Sequence, residues 1–181
     1  LTLRGSESLE SNFGQSMLAR RLTAQRSTAT TKLRFDPESF QQMAGIAAYY
    51  NTYLFHYLYL SMDEDKGLCL QIHSCDDGTS SFPLGEHVIP VSTGELFLRA
   101  TFDECALQFY FSEDGDRFRE AGPVLDASIL SDDHGEHWGF TGTFVALACQ
   151  DLRGTGLPAE YDFLEITQST TSPANDVRNK T

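Results

Sequence analysis

Hydrophobic and polar positions alternate with a period of two over most of the chain. Tyr53 to Leu60 sets Tyr53, Phe55, Tyr57 and Tyr59 on one face of an extended segment and Leu54, His56, Leu58 and Leu60 on the other. The run is too short for an ordinary core helix and apolar on both faces, which places it in the middle of a sheet. One face then belongs to the core, and the other is covered by a loop, a ligand groove or another domain. Similar stretches recur at Thr28 to Phe35, Gln42 to Tyr50, Leu68 to His73, Glu95 to Phe102, Ala106 to Ser112, Thr143 to Gln150 and Tyr161 to Ile166. Turn chemistry separates them, as in Asp63-Glu64-Asp65-Lys66-Gly67, Cys75-Asp76-Asp77-Gly78 and Glu113-Asp114-Gly115-Asp116. Many short strands without a long helical pattern predict an all-β chain folded as an antiparallel two-sheet β-sandwich. Helical turns are expected only near Ser6 to Asn12 and Asp126 to Leu130.

The 181 residues fit one domain with a sizeable core. After Ile166 the sequence turns polar (Gln168-Ser169-Thr170-Thr171-Ser172), so residues 1–167 read as the sandwich and residues 168–181 as a polar C-terminal tail. The balance of 26 acidic against 13 basic residues, net charge -13, repels phosphate backbones and anionic lipid and points away from nucleic acid and membrane partners. No window approaches the roughly 18–20 apolar residues of a membrane span. The N-terminus, Leu1-Thr2-Leu3-Arg4-Gly5, has neither an initiator Met nor the shape of a signal peptide, so the chain is expected to start mid-protein. Cys69, Cys75, Cys105 and Cys149 lie in apolar runs without C-x-x-C spacing and read as buried, reduced thiols, which suits a cytoplasmic protein.

Most carboxylates sit beside glycine in turns, where solvated turn chemistry outweighs catalysis. The densest polar cluster, Ser131-Asp132-Asp133-His134-Gly135-Glu136-His137-Trp138-Gly139-Phe140, joins two histidines to three acids. Its glycines indicate a loop and not the H-E-x-x-H helix of a metal site. Trp138 and Phe140 there are aromatics in a polar stretch, the composition a scaffold uses in a binding loop. Neither a G-x-S-x-G elbow nor a phosphate loop is present. Arg20, Arg21 and Arg26 form the one basic cluster and are expected to pair with the chain's own acids or with an adjacent domain. Asp162 is read as sharing a strand face with Leu164 and Ile166.

Several separated blocks carry a resemblance. Gln15-Ser16-Met17-Leu18-Ala19-Arg20-Arg21, Phe35-Asp36-Pro37-Glu38-Ser39-Phe40, Gly122-Pro123-Val124-Leu125-Asp126, Phe140-Thr141-Gly142-Thr143-Phe144-Val145 and Ala159-Glu160-Tyr161-Asp162-Phe163 together resemble the C-terminal domain of glycoside hydrolase family 43 β-xylosidases. The resemblance runs from about Leu3 to Ile166. It implies a concanavalin A-like jelly roll that follows a five-bladed catalytic propeller. The parent would be an inverting β-xylosidase acting on xylo-oligosaccharides, with α-arabinofuranosidase activity in some relatives.

By the same resemblance this chain carries no catalytic carboxylate and acts as an accessory domain. Phe140, with Phe144 as second choice and Trp138 as a second aromatic wall, would narrow the propeller's pocket as a lid. Asp162 would hold a structural calcium. No cofactor is required. Tyr53, Phe55, Tyr57 and Tyr59 would form either the domain interface or, if the chain is an autonomous carbohydrate-binding module, a sugar platform. A third reading is a structural module that supports a homo-oligomer.

Overall fold

The computed structural model describes residues 1–136 and 139–169. Its strands, in chain order, are β1 (Thr2–Arg4), β2 (Ser16–Arg21), β3 (Arg26–Arg34), β4 (Gln42–Asn51), β5 (Leu54–Asp63), β6 (Gly67–Asp76) and β7 (Thr79–Ser81). They continue as β8 (Ile89–Pro90), β9 (Glu95–Asp103), β10 (Ala106–Ser112), β11 (Arg119–Glu120), β12 (Leu125–Asp126), β13 (Phe144–Asp151) and β14 (Pro158–Ser169). A single 3₁₀ turn at Ala127–Ile129, capped by the Asp126 side chain, is the one helical piece among the described residues.

The strands form two antiparallel sheets. One has the order β1-β14-β3-β9-β10-β11, with β12 also on β10, and the other β2-β13-β4-β5-β6-β7, with β8 on β6. Alternation dictates the facing: Ala29 and Leu33 of β3, Leu96, Leu98 and Ala100 of β9 and Leu107, Phe109 and Phe111 of β10 turn inward. They meet Ile46, Leu58, Leu60, Ile72, Val145 and Leu147 of the facing sheet. Tyr161 crosses this core and donates its hydroxyl to the carbonyls of Gly45 at 3.1 Å and Ala148 at 2.8 Å. That is the sandwich predicted from the sequence.

β5 is apolar on both faces because both are covered. Its outer face, with Phe55, Tyr57 and Tyr59, forms a second apolar layer with Ala47, Tyr49, Ala146 and Ala148. Leu9, itself 1% exposed, closes that layer from the loop between β1 and β2. The cover is therefore the chain's own loop. No helix forms at Ser6 to Asn12: Ser6 bridges Gln150 and Glu7 bridges Gln15, because Leu9 must reach down onto the sheet while the polar residues around it bond across the loop.

Other details also differ from the sequence reading. β1, β2 and the short strands β7, β8, β11 and β12 lack the alternation that marks the longer ones. Cys69, Cys75 and Cys149 are buried free thiols, but Cys105 is exposed in the β9–β10 turn. β14 runs on to Ser169, past Thr167, pairing Gln168 with Ser27 and Ser169 with Arg26. A register shift between Tyr161 and Leu164 breaks the period, so Tyr161, Leu164 and Ile166 pack on the core while Asp162 faces solvent.

Candidate functional site

The β4–β5 hairpin marks the end of the sandwich where the loops converge. Tyr50 closes the inward series Ala44, Ile46, Ala48, Tyr50, and its ring is buried at 2% exposure. Its hydroxyl emerges under the loop that leads into β13. It accepts the backbone N–H groups of Gly139 at 2.8 Å and Phe140 at 3.0 Å and donates to the Asp132 carboxylate. Burial first, and the Asp132 carboxylate second, push the phenol pKa up, which keeps the donating proton in place.

Phe140 sits at φ +52° with 77% of its surface exposed. Left-handed backbone costs a Phe about 1–2 kcal/mol. That cost is offset locally by the Tyr50 hydroxyl, which accepts the Phe140 N–H, while the Thr143 hydroxyl donates to the Leu130 carbonyl at 2.8 Å and ties down the loop where it enters β13. The loop is thus built to present an aromatic outward.

A second loop does the same beside it. Phe13, 94% exposed, stands at the tip of the β1–β2 loop. Glu7 organises that loop: its carboxylate accepts Gly14 N–H at 3.1 Å and the Ser11 hydroxyl, whose oxygen in turn accepts Phe13 N–H at 3.1 Å. These bonds, Ser11 first, hold the Glu7 pKa below the usual carboxylate range. Thr52 Oγ1 donates to Asn12 Oδ1 at 3.2 Å and ties the loop to the hairpin. Asn12 and Gly139, the neighbours of the two phenylalanines, line one groove with Asn51, Thr52 and Tyr53. Phe13 was not among the predicted residues, although a Phe before Gly in the polar run Ser11-Asn12-Phe13-Gly14-Gln15 is the same signal as Gly139-Phe140.

Of the other predicted site residues, Phe144 opens β13 half-buried, opposite Tyr49 on β4 and Arg21 on β2. Trp138 and His137 lie outside the described residues. Phe55 and Tyr57 are fully buried and Tyr59 is 6% exposed, so they cannot act as a sugar platform or an interface. The correction has a physical cause, since Leu9 already occupies that face. Tyr53 lies in the hairpin turn just before β5.

His134 Nε2 bonds Asp76 Oδ1 at 2.6 Å, and no group of three or more His, Cys, Asp or Glu gathers as a metal site among the described residues. Asp162 does not fit calcium: its charged neighbour is the Lys32 ammonium at 3.6 Å, which is shared with Glu95, and calcium needs six to eight oxygens.

The turn acids serve the backbone. Asp114 accepts Arg117 N–H at 2.8 Å, Asp116 N–H at 2.9 Å and the Ser112 hydroxyl at 2.8 Å, and its pKa is pushed down to about 2, chiefly by the Arg117 bond. Arg26 pairs with Asp103 and Glu104, whereas Arg20 and Arg21 make no ion pair among the described residues. Arg21 instead lies against Gly142 of the Phe140 loop, where a Cβ would come within 2.9 Å of its Nε.

Fold and site together define a concanavalin A-like β-sandwich with aromatic-tipped loops at one end. The family model for the beta-xylosidase C-terminal concanavalin A-like domain matches residues 1–167, and the chain belongs to that family. It is 41% identical over 173 residues to the Xylosidase/arabinosidase 43B of Humicola insolens and 36% identical over 170 residues to the Beta-xylosidase of Bacillus subtilis, with 90% and 93% of this chain aligned. It spans 32% of the length of each of these relatives. Among solved structures, xylan beta-1,4-xylosidase from Bacillus halodurans matches with a TM-score of 0.88 and 38% identity, over 92% of this chain and 32% of that one.

Proposed function

We propose that this domain is the accessory sandwich of a xylose-releasing glycoside hydrolase, and that its Phe140 loop closes the active-site mouth of a five-bladed catalytic propeller. The observation that carries the reading is Phe140 itself, a strained, exposed aromatic fixed by a buried Tyr50 hydroxyl. Strain of this kind concentrates where function uses the side chain. Family membership and the xylosidase names of its relatives supply the substrate class.

A phenylalanine wall across the pocket excludes water and offers the apolar face of a terminal xylose a surface to pack on. It favours release of single sugars from short chains over attack within long ones. The catalytic carboxylates belong to the propeller in this scheme, and this chain contributes shape. The test is to compare the propeller-sandwich enzyme with its Phe140→Ala variant on a xylose-releasing substrate. A drop in kcat/KM with unchanged assembly is expected. Unchanged kinetics in a folded, intact enzyme overturns the lid.

A further inference from the structure

We propose that the open edge of β14 takes the strand that leads into Leu1 from the catalytic domain, so that the connection between the two domains is itself a continuation of β1; this rests on the reading of the chain as a propeller's accessory sandwich. β1 pairs with β14 from Pro158 to Glu160, yet the ladder does not stop there. The Leu1 nitrogen donates to the Tyr161 carbonyl at 2.8 Å and the Tyr161 N–H donates back to the Leu1 carbonyl at 2.7 Å, the reciprocal pair of an antiparallel ladder. β14 then runs on to Ser169 with β3 on one side, and among the described residues no strand pairs with its other side beyond Tyr161.

Unpaired backbone groups along so long an edge are a hazard that folds normally cover or blunt. The other sheet ends are blunt: β7 has three residues, β11 has two, and β2 ends in Arg20 and Arg21. The β14 edge is longer than β7 or β11, and it opens on apolar side chains. Leu164 and Ile166 pack on the core but keep part of their surface exposed. On the facing sheet Leu18 pairs with the core residue Leu147, so it shares the inward face, and it is 48% exposed.

Register says which residues fill this slot. Leu3 and Leu1, opposite Ala159 and Tyr161, look inward, and the second and fourth residues before Leu1 do the same. Read through the bulge at Asp162 and Phe163, they come opposite Leu164 and Ile166. Beyond that the chain closes the slot itself, where Thr23 Oγ1 donates to Gln168 Oε1 at 2.6 Å. The occupant is an extended segment with apolar side chains at those two positions.

The direction of the strand fits the lid. Ser169 pairs with Arg26, at the end of the sandwich where the Leu22 N–H bonds the Thr143 carbonyl and Arg21 lies against Gly142 of the Phe140 loop. A strand antiparallel to β14 enters at that end and runs from there to Leu1. The polypeptide thus arrives from the side on which the Phe140 loop meets the propeller, and its ladder bonds fix the rotation of the sandwich, which a flexible linker would leave free.

The experiment uses the propeller-sandwich enzyme. By the alternation set at Tyr161, the N–H groups of Leu164 and Ile166 point at the incoming strand. Their hydrogen exchange is expected to be at least about a hundredfold slower than that of unpaired amides. Exchange of both at the unpaired rate overturns the proposal.

A cross-link identifies the strand. The third residue before Leu1 comes opposite exposed Glu165 in a non-hydrogen-bonded pair, where Cα atoms lie about 4.5 Å apart. Glu165→Cys, combined with a cysteine placed at that upstream position, is expected to form a disulfide under mild oxidation, read by peptide mass mapping. Protected amides without this cross-link assign the edge to another segment or to a second copy of the chain, and that also overturns the proposal. The lid fails separately, by unchanged kinetics in Phe140→Ala.

Discussion

Tyr50→Phe isolates the device that holds the Phe140 loop. The ring stays, so the contacts of Tyr50 within the core are kept, and only the hydroxyl is lost. With it go two accepted bonds, from Gly139 N–H at 2.8 Å and Phe140 N–H at 3.0 Å, and one donated to the Asp132 carboxylate. Neutral bonds of this kind contribute about 1 kcal/mol each and a bond to a charged group about 1.5–3 kcal/mol.

Gly139 and Phe140 are exposed, so water takes over part of the loss, and the net effect on the loop is placed at about 2 kcal/mol. Phe140 at φ +52° carries strain of about 1–2 kcal/mol that no longer has its counterweight. Local opening then becomes about thirtyfold more populated. Amide hydrogen exchange at Gly139 and Phe140 reports this directly and should accelerate by a similar factor, while amides of β3 and β9 keep their protection. Exchange at both positions equal to the parent's would refute the claim that Tyr50 sets the loop.

Leu9→Ala should lower stability by about 2–5 kcal/mol in urea unfolding, since Leu9 is 1% exposed and closes the layer over Phe55, Tyr57 and Tyr59; a loss below about 1 kcal/mol would mean that the loop does not seal that face. Gly45→Ala is expected to abolish or severely weaken folding, because a Cβ there overlaps the Leu58 carbonyl oxygen and the Tyr59 backbone, neither of which can swing away. Normal yield and midpoint would contradict this. Acid sensitivity should begin near pH 6.5, above the carboxylate range. Buried His56 donates from Nε2 to the Asp126 carbonyl at 3.0 Å, with Nδ1 2.7 Å from the Ser74 hydroxyl, and burial lowers its pKa. Burial lowers that of His73 as well. The unfolded chain then takes up protons first, so stability is full above pH 6.5 and falls as pH drops below it. Urea midpoints at pH 7.5 and 5.5 measure the slope, and His56→Gln should make it shallower; an equal slope refutes the assignment.

The long strands were legible because their residues alternate strictly. β10, Ala106–Ser112, matches its expected bounds, and β4 and β9 extend theirs by one residue. β2 was missed because Ser16–Arg21 carries Met17, Leu18 and Ala19 in a row before two arginines, a pattern with no period. The Asp162 face was misread because a bulge adds a residue that period-two counting cannot see. At the site, Phe140 was reachable through the resemblance and through its polar setting. Tyr50 was not, since its role depends on a hydroxyl meeting two amides some ninety positions away. The platform reading of Phe55, Tyr57 and Tyr59 failed for a similar reason: the sequence records that β5 is apolar on both sides, but not that Leu9 folds back over one of them.

These placements bear on where a partner can engage. The outer face of the β2–β7 sheet is spent on the layer under Leu9. The outer face of the other sheet is occupied by its own charges: Lys32 with Glu95 and Asp162, Arg34 with Glu95 and Glu160, and Arg99 stacked 3.5 Å over Phe118. Among the described residues the sheet built around β5 therefore presents no flat aromatic platform, and on the other sheet Phe97 and the exposed Phe163 hold their rings tilted by 48° and not coplanar. Phe13 and Phe140, two exposed phenylalanines whose backbone N–H is each held by a side-chain hydroxyl, lie instead on loops at the rim around the β4–β5 hairpin. Each keeps its ring exposed while its backbone is fixed, so both rings are available to whatever meets that rim.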